Sequence, residues 1–114
     1  GVMHGTLDYL APEVIKAGTS AAHTRASDLW QVGVLLYEML YGIAPFTAFS
    51  PEKTMYNITM RGVSFPRPSE GGAVPEVSGA AKSAVRSLLR QNVAVRAGFH
   101  GGVQEVLAHE FFTS

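Results

Sequence analysis

Cysteine is absent from the 114 residues, which removes disulfides, thiol catalysis and thiolate metal sites. The four histidines, His4, His23, His100 and His109, form neither an i,i+4 pair nor an HExxH arrangement, so no metal site is expected. No apolar run approaches the roughly 18 residues needed to cross a bilayer, and no signal-peptide pattern opens the chain. Neither sign of charge prevails. Nine Lys plus Arg balance nine Asp plus Glu, leaving no electrostatic reason to expect a nucleic acid or an anionic membrane as partner. These exclusions point to a soluble, cytoplasmic chain. The first residue, Gly1, suggests a processed or incomplete sequence.

What is present is apolar and helical in pattern. Hydrophobic residues make up 46% of the chain, enough for one domain's core. Residues 10–17 (LAPEVIKA) predict a short helix with Pro12 at an early position, where its missing N–H costs little. Residues 18–24 read as a loop. Thr24 is a candidate cap for a helix that runs to about Tyr41 and stops at Gly42. That helix is apolar nearly all round from Leu29 to Tyr41, so it belongs in the centre of a core, covered by protein on every side. Residues 42–114 are scarcely enough to cover it, which hints at a piece of something larger.

Ser50-Pro51-Glu52 is a helix start, with Met55, Ile58 and Thr59 facing inward and an end near Gly62. Residues 63–75, with three prolines and two adjacent glycines, form a connecting loop. From Ser78 a further helix carries Ala81, Ala84, Val85, Leu88 and Leu89 on one face. A last short helix after Gly98, Gly101 and Gly102 groups Val103, Val106 and Leu107. No convincing strand is predicted, and the fold class is all-α.

Four stretches taken in order resemble the C-terminal lobe of eukaryotic protein kinases. GTLDYLAPE (5–13) resembles the end of the activation segment, and DLWQVGVLLYEMLYGIAPF (28–46) the central buried helix. LLRQNVAVRAG (88–98) and GGVQEVLAHEFF (101–112) resemble the segments that close the lobe. The glycines before the last helix and KTMYNITMRGVSFP (53–66) are most similar to the cyclic-nucleotide-dependent Ser/Thr kinases of the AGC group, the cGMP-dependent branch nearer. The resemblance implies one partial domain over residues 1–114, from the end of the activation segment through the last helix of the lobe. The N-terminal lobe and the catalytic loop are absent.

The resemblance also implies roles for single residues. Glu13 would form a buried ion pair with Arg96, whose planar fork suits a bidentate carboxylate better than a lysine does. Without the family, Glu13 reads as a surface glutamate. Asp28 would anchor the catalytic loop; read alone, it is a first-turn carboxylate favoured by the helix dipole. Thr6 would contact the catalytic aspartate and lysine, and Leu7 and Leu10 would help form the pocket for the residue after the phosphorylated Ser or Thr. Tyr9 and Trp30 read as packing groups. Asp8 and Glu52 are candidates for recognising a basic substrate peptide, but each reads better as an exposed, solvated carboxylate.

Phosphoryl transfer needs a Gly-rich loop, a strand lysine, an HRD aspartate and a DFG aspartate, and none occurs here. No residue of this chain is therefore assigned as catalytic. The chain by itself is expected to bind no cofactor, while the full-length parent would use ATP and Mg2+. Its partners would be a protein or peptide carrying Ser or Thr, and the remainder of the kinase domain.

Some positions depart from the pattern. Val2 stands where a phosphorylatable threonine is usual, Leu7 replaces a proline, Asn92-Val93 replace Asp-Pro, and Ala97 replaces a bulkier apolar residue. The leading reading is part of an active Ser/Thr kinase. The alternatives are a pseudokinase or truncated docking or decoy module without catalysis, and an unrelated helical binding domain.

Overall fold

Short polar or prolyl starts and glycyl stops divide the chain into helices of modest length. The computed structural model describes residues 7–17, 25–66 and 76–113. A 3-10 turn, Leu7–Tyr9, leads into α1 (Pro12–Ala17), which begins at Pro12 itself rather than at Leu10. Then come α2 (Arg25–Tyr41), α3 (Pro51–Tyr56), a π-helical turn (Asn57–Arg61), α4 (Gly79–Leu88), a 3-10 turn (Val93–Val95), α5 (Gly102–Leu107) and α6 (Glu110–Thr113). The described residues contain no strand, so the fold is helical. None of their helices is long and apolar enough to cross a membrane.

The caps follow the chemistry of their residues. Ser50 Oγ accepts the Lys53 N–H and Ser78 Oγ accepts the Ala81 N–H, each satisfying a first-turn donor. Gly42 ends α2 with φ +77°, a left-handed conformation glycine adopts without a Cβ penalty. The expected cap at Thr24 lies outside the described residues.

The core is built around α2. Trp30 is fully buried, and its ring stacks on Phe46 at 5.4 Å between centroids. Val34, Tyr37 and Tyr41 extend the same face and meet Ile58, Val85 and Leu89. A smaller cluster joins Leu29, Leu88 and Val106. Helices α2 and α4 approach closely at Gly33: a Cβ there would lie 2.8 Å from Leu88 Cβ and 2.8 Å from Leu89 Cδ2.

The π turn closes through the Gly62 N–H on the Asn57 carbonyl, where an ordinary helical turn was expected. The Gln91 amide donates to the Ile58 carbonyl at 2.8 Å, so the turn rests on a residue 33 positions away. Of the three apolar side chains expected to group in α5 only Val106 is buried, while Val103 and Leu107 face outward, because so short a helix packs one face on its neighbour.

The cover expected on every side of α2 is not found among the described residues. Val32, Leu35 and Met39 are exposed, Met39 by 81%. With Asp28, also exposed, they occupy i, i+4, i+7 and i+11, a single stripe along the helix. The described residues cover one side of α2 and leave this one open.

Candidate functional site

Pro12 starts α1, and Glu13 follows it in the first turn. The Glu13 carboxylate meets Arg96 fork to fork: Nη1 donates to Oε2 and Nη2 to Oε1, both at 2.7 Å. Arg96 is itself fully buried, so its other donors need partners as well. Its Nε donates to the Arg90 carbonyl at 2.8 Å, Nη1 also to Ala26 and Nη2 also to Gln91, both at 3.3 Å. The five N–H groups of a guanidinium are thereby all engaged. The plane lies over the Trp30 ring at 4.9 Å, a further favourable contact for a desolvated cation. One side chain thus joins α1, the first turn of α2 and the segment after α4.

Electrostatics keep this pair charged. Burial pushes the Glu13 carboxyl upward more strongly than any other single influence. The Arg96 hydrogen bonds, a backbone N–H, and the charges of Arg96 and Lys16 together outweigh it and hold the pKa below the ordinary 4.5.

The turn preceding α1 is fastened by two further bonds. Thr47 Oγ donates to Asp8 Oδ1 at 2.8 Å, and the Tyr9 hydroxyl donates to Glu38 Oε1 at 2.8 Å. Asp8 is buried, contrary to the solvated carboxylate expected, because the segment after Phe46 folds back and supplies Thr47 as donor. Nothing in the local sequence of Asp8 signals a donor 39 positions away. Leu7 and Leu10 are both half-buried, the Leu10 N–H donating to the Leu7 carbonyl at 3.2 Å, and Leu10 packs against the main core. Thr6 and Val2 lie outside the described residues. Asp28 is exposed in the first turn of α2. The substitution of Asn92 for aspartate keeps a cap, since Asn92 Oδ1 accepts the Ala94 N–H at 3.0 Å.

The geometry therefore ties the Ala-Pro-Glu segment to a distant arginine and leaves an open stripe headed by an aspartate. The family profile described as the protein kinase domain matches residues 2–112. The chain belongs to the protein kinase family. This kinase chain is 44% identical over 108 residues to "Phototropin-2" of Oryza sativa subsp. japonica, covering 95% of the chain and 11% of that protein. It is 39% identical over 108 residues to "Serine/threonine-protein kinase nrc-2" of Neurospora crassa, covering 95% and 16% respectively. It is 39% identical over 110 residues to "Protein kinase PINOID" of Oryza sativa subsp. japonica, covering 96% and 22%. The kinase chain spans less than a quarter of the length of each of these relatives.

Proposed function

We infer that these residues form the substrate-presenting side of a Ser/Thr protein kinase C-terminal lobe, whose full-length parent transfers the γ-phosphoryl group of ATP to protein hydroxyls. The observation that carries this reading is the bidentate Glu13–Arg96 pair, with all five guanidinium donors engaged. So complete a set of partners holds the Leu7–Leu10 turn at a fixed distance from α2. A surface that positions a peptide against separately held chemical groups needs that rigidity.

On this reading Leu7 and Leu10 shape the pocket beside the acceptor residue, and the resemblance gives Thr6 the contact with the catalytic aspartate and lysine. Asp28 accepts backbone N–H groups of the catalytic loop, and the stripe Val32–Leu35–Met39 receives the rest of the domain. The exposure of all four stripe residues supports that assignment. These 114 residues do not themselves fit a nucleotide–magnesium site. They include no Gly-rich loop, and their two aspartates stand apart, Asp8 held by Thr47 and Asp28 on the open face of α2. ATP and Mg2+ are therefore assigned to the parent, and with them an intracellular location. The narrower placement in the AGC group, beside the cyclic-nucleotide-dependent kinases, is supported by residues 53–66 and the glycines at 98, 101 and 102 alone.

The test uses the natural full-length protein with Mg-ATP and a set of Ser- and Thr-containing peptides. Phosphoryl transfer is expected, and Arg96→Ala should reduce it at least about tenfold, equivalent to about 1.4 kcal/mol of transition-state stabilisation. A full-length protein that neither binds nucleotide nor phosphorylates any peptide would replace this reading with a docking module.

A further inference from the structure

Residues 63–66 follow the π turn, whose last bond is donated by the Gly62 N–H, and lie in no helix or strand. They are held to the core by the Tyr37 hydroxyl, which donates to the Ser64 carbonyl at 2.8 Å, by the Phe65 ring, which packs on Tyr37 at 5.8 Å and Tyr41 at 5.9 Å, and by Val63, which packs against the same cluster. Ser64 is exposed, and its own hydroxyl has no hydrogen-bond partner among the described residues. It lines an open cavity of about 750 Å³ together with Thr47, Phe65, Lys82 and Arg86. Lys82 and Arg86 are one turn apart on α4 and face the same way. The Arg86 guanidinium lies over the Phe65 ring at 5.1 Å, which keeps it beside Ser64. Among the described residues neither cation has a carboxylate within ion-pair distance. Two cations and an idle hydroxyl thus share a cavity that no acidic side chain lines among the described residues.

Three residues before Ser64 stands Arg61, exposed at the end of the π turn. A protein kinase whose peptide groove carries carboxylates would find that guanidinium at a fixed spacing from the acceptor. We propose that Ser64 is a phosphorylation site, whose phosphate is received by Lys82 and Arg86 and fastens residues 62–66 onto α4.

The donor is ATP with an arginine-directed Ser/Thr kinase. Ser64 Oγ attacks the γ-phosphorus, the bond from that phosphorus to the β,γ-bridging oxygen breaks, ADP leaves, and the hydroxyl proton passes to the kinase's base. Access requires the segment to lift from Tyr37 and Tyr41, an opening that a stretch with so few backbone bonds makes at low cost. Once added, the phosphate carries about −1.5 to −2 charges and three acceptor oxygens, which the two cations complement. The closed position then gains an ionic clasp that the unmodified segment lacks.

The natural full-length protein is incubated with Mg-ATP, with and without an arginine-directed Ser/Thr kinase, and the tryptic peptide beginning at Gly62 is examined by mass spectrometry. Phosphate on Ser64 is expected in at least one incubation. Incorporation without the added kinase would assign the step to the protein itself, and incorporation only with it to another kinase; both support the site. Arg61→Ala, followed on the longer tryptic peptide that begins at Thr54, should slow incorporation about tenfold. Hydrogen exchange at residues 62–65 should slow on phosphorylation, and in the Lys82→Ala/Arg86→Ala protein it should not. No phosphate on Ser64 while a control arginine-containing peptide is modified in the same tube overturns the proposal. So does a phosphate that leaves the exchange of both proteins unchanged.

Discussion

Removing the guanidinium of Arg96 would strand the Glu13 carboxylate and three backbone carbonyls at once, those of Ala26, Arg90 and Gln91. Loss of one partner from a buried pair costs about 3–5 kcal/mol, and Arg96→Ala is expected in that range by chemical denaturation. Glu13 keeps 29% of its side chain exposed, so water relieves part of its loss and places the effect toward the lower end. Arg96→Lys retains the charge but reaches neither both carboxylate oxygens nor all three carbonyls. It should still cost about 2 kcal/mol or more. The acid dependence follows from the sign of the Glu13 shift. Its folded pKa lies below the ordinary 4.5, so the stabilisation is fully present above that value and disappears as pH falls through the folded pKa. The stability difference between wild type and Glu13→Gln should therefore be constant at neutral pH and shrink below about pH 4.5. A difference that persists unchanged into strong acid would show that the charge of Glu13 contributes nothing.

At the scale of the elements, the crossing of α2 over α4 depends on the missing side chain at Gly33. The atom that an added methyl would strike is Leu88 Cβ, at 2.8 Å, next to the backbone and unable to swing aside. Gly33→Ala gains up to about 1 kcal/mol of helix propensity. Overpacking of about 1–3 kcal/mol opposes it, and with Leu89 crowded as well the loss should dominate. A net destabilisation of about 1–2 kcal/mol, read as a lowered denaturation midpoint, is the expected outcome. Leu89→Ala added to Gly33→Ala should recover less than its own cavity costs, since Leu88 remains.

Elements of this kind were readable where a local residue determines them. Ser50 and Ser78 start their helices by capping a donor three positions on, and the apolar spacing of α4 names its buried face. The site was readable where a resemblance supplied the partner, as for Glu13 and Arg96. What the sequence did not disclose depends on distant partners: the π turn leans on Gln91, and Asp8 is buried because Thr47 reaches it. No periodicity carries such information, because each bond is created by the packing of the whole.

For the molecule as a whole, the stripe Asp28–Val32–Leu35–Met39 should behave oppositely in two settings. In the 114-residue chain it faces solvent, and an apolar strip of this kind binds hydrophobic dyes and promotes association. Leu35→Lys with Met39→Lys should there reduce dye binding and change stability by no more than about 0.5 kcal/mol, as exposed substitutions do. If the parent's remaining residues cover the stripe, the same two lysines would be buried without partners in the full-length protein. The cost would then be several kcal/mol, well above the effect in the isolated chain. The comparison separates the two readings of the open face because the substitution is held constant while the cover is changed. Equal and small effects in both settings would mean that α2 is exposed in the parent as well, and Asp28 would then have no loop to anchor.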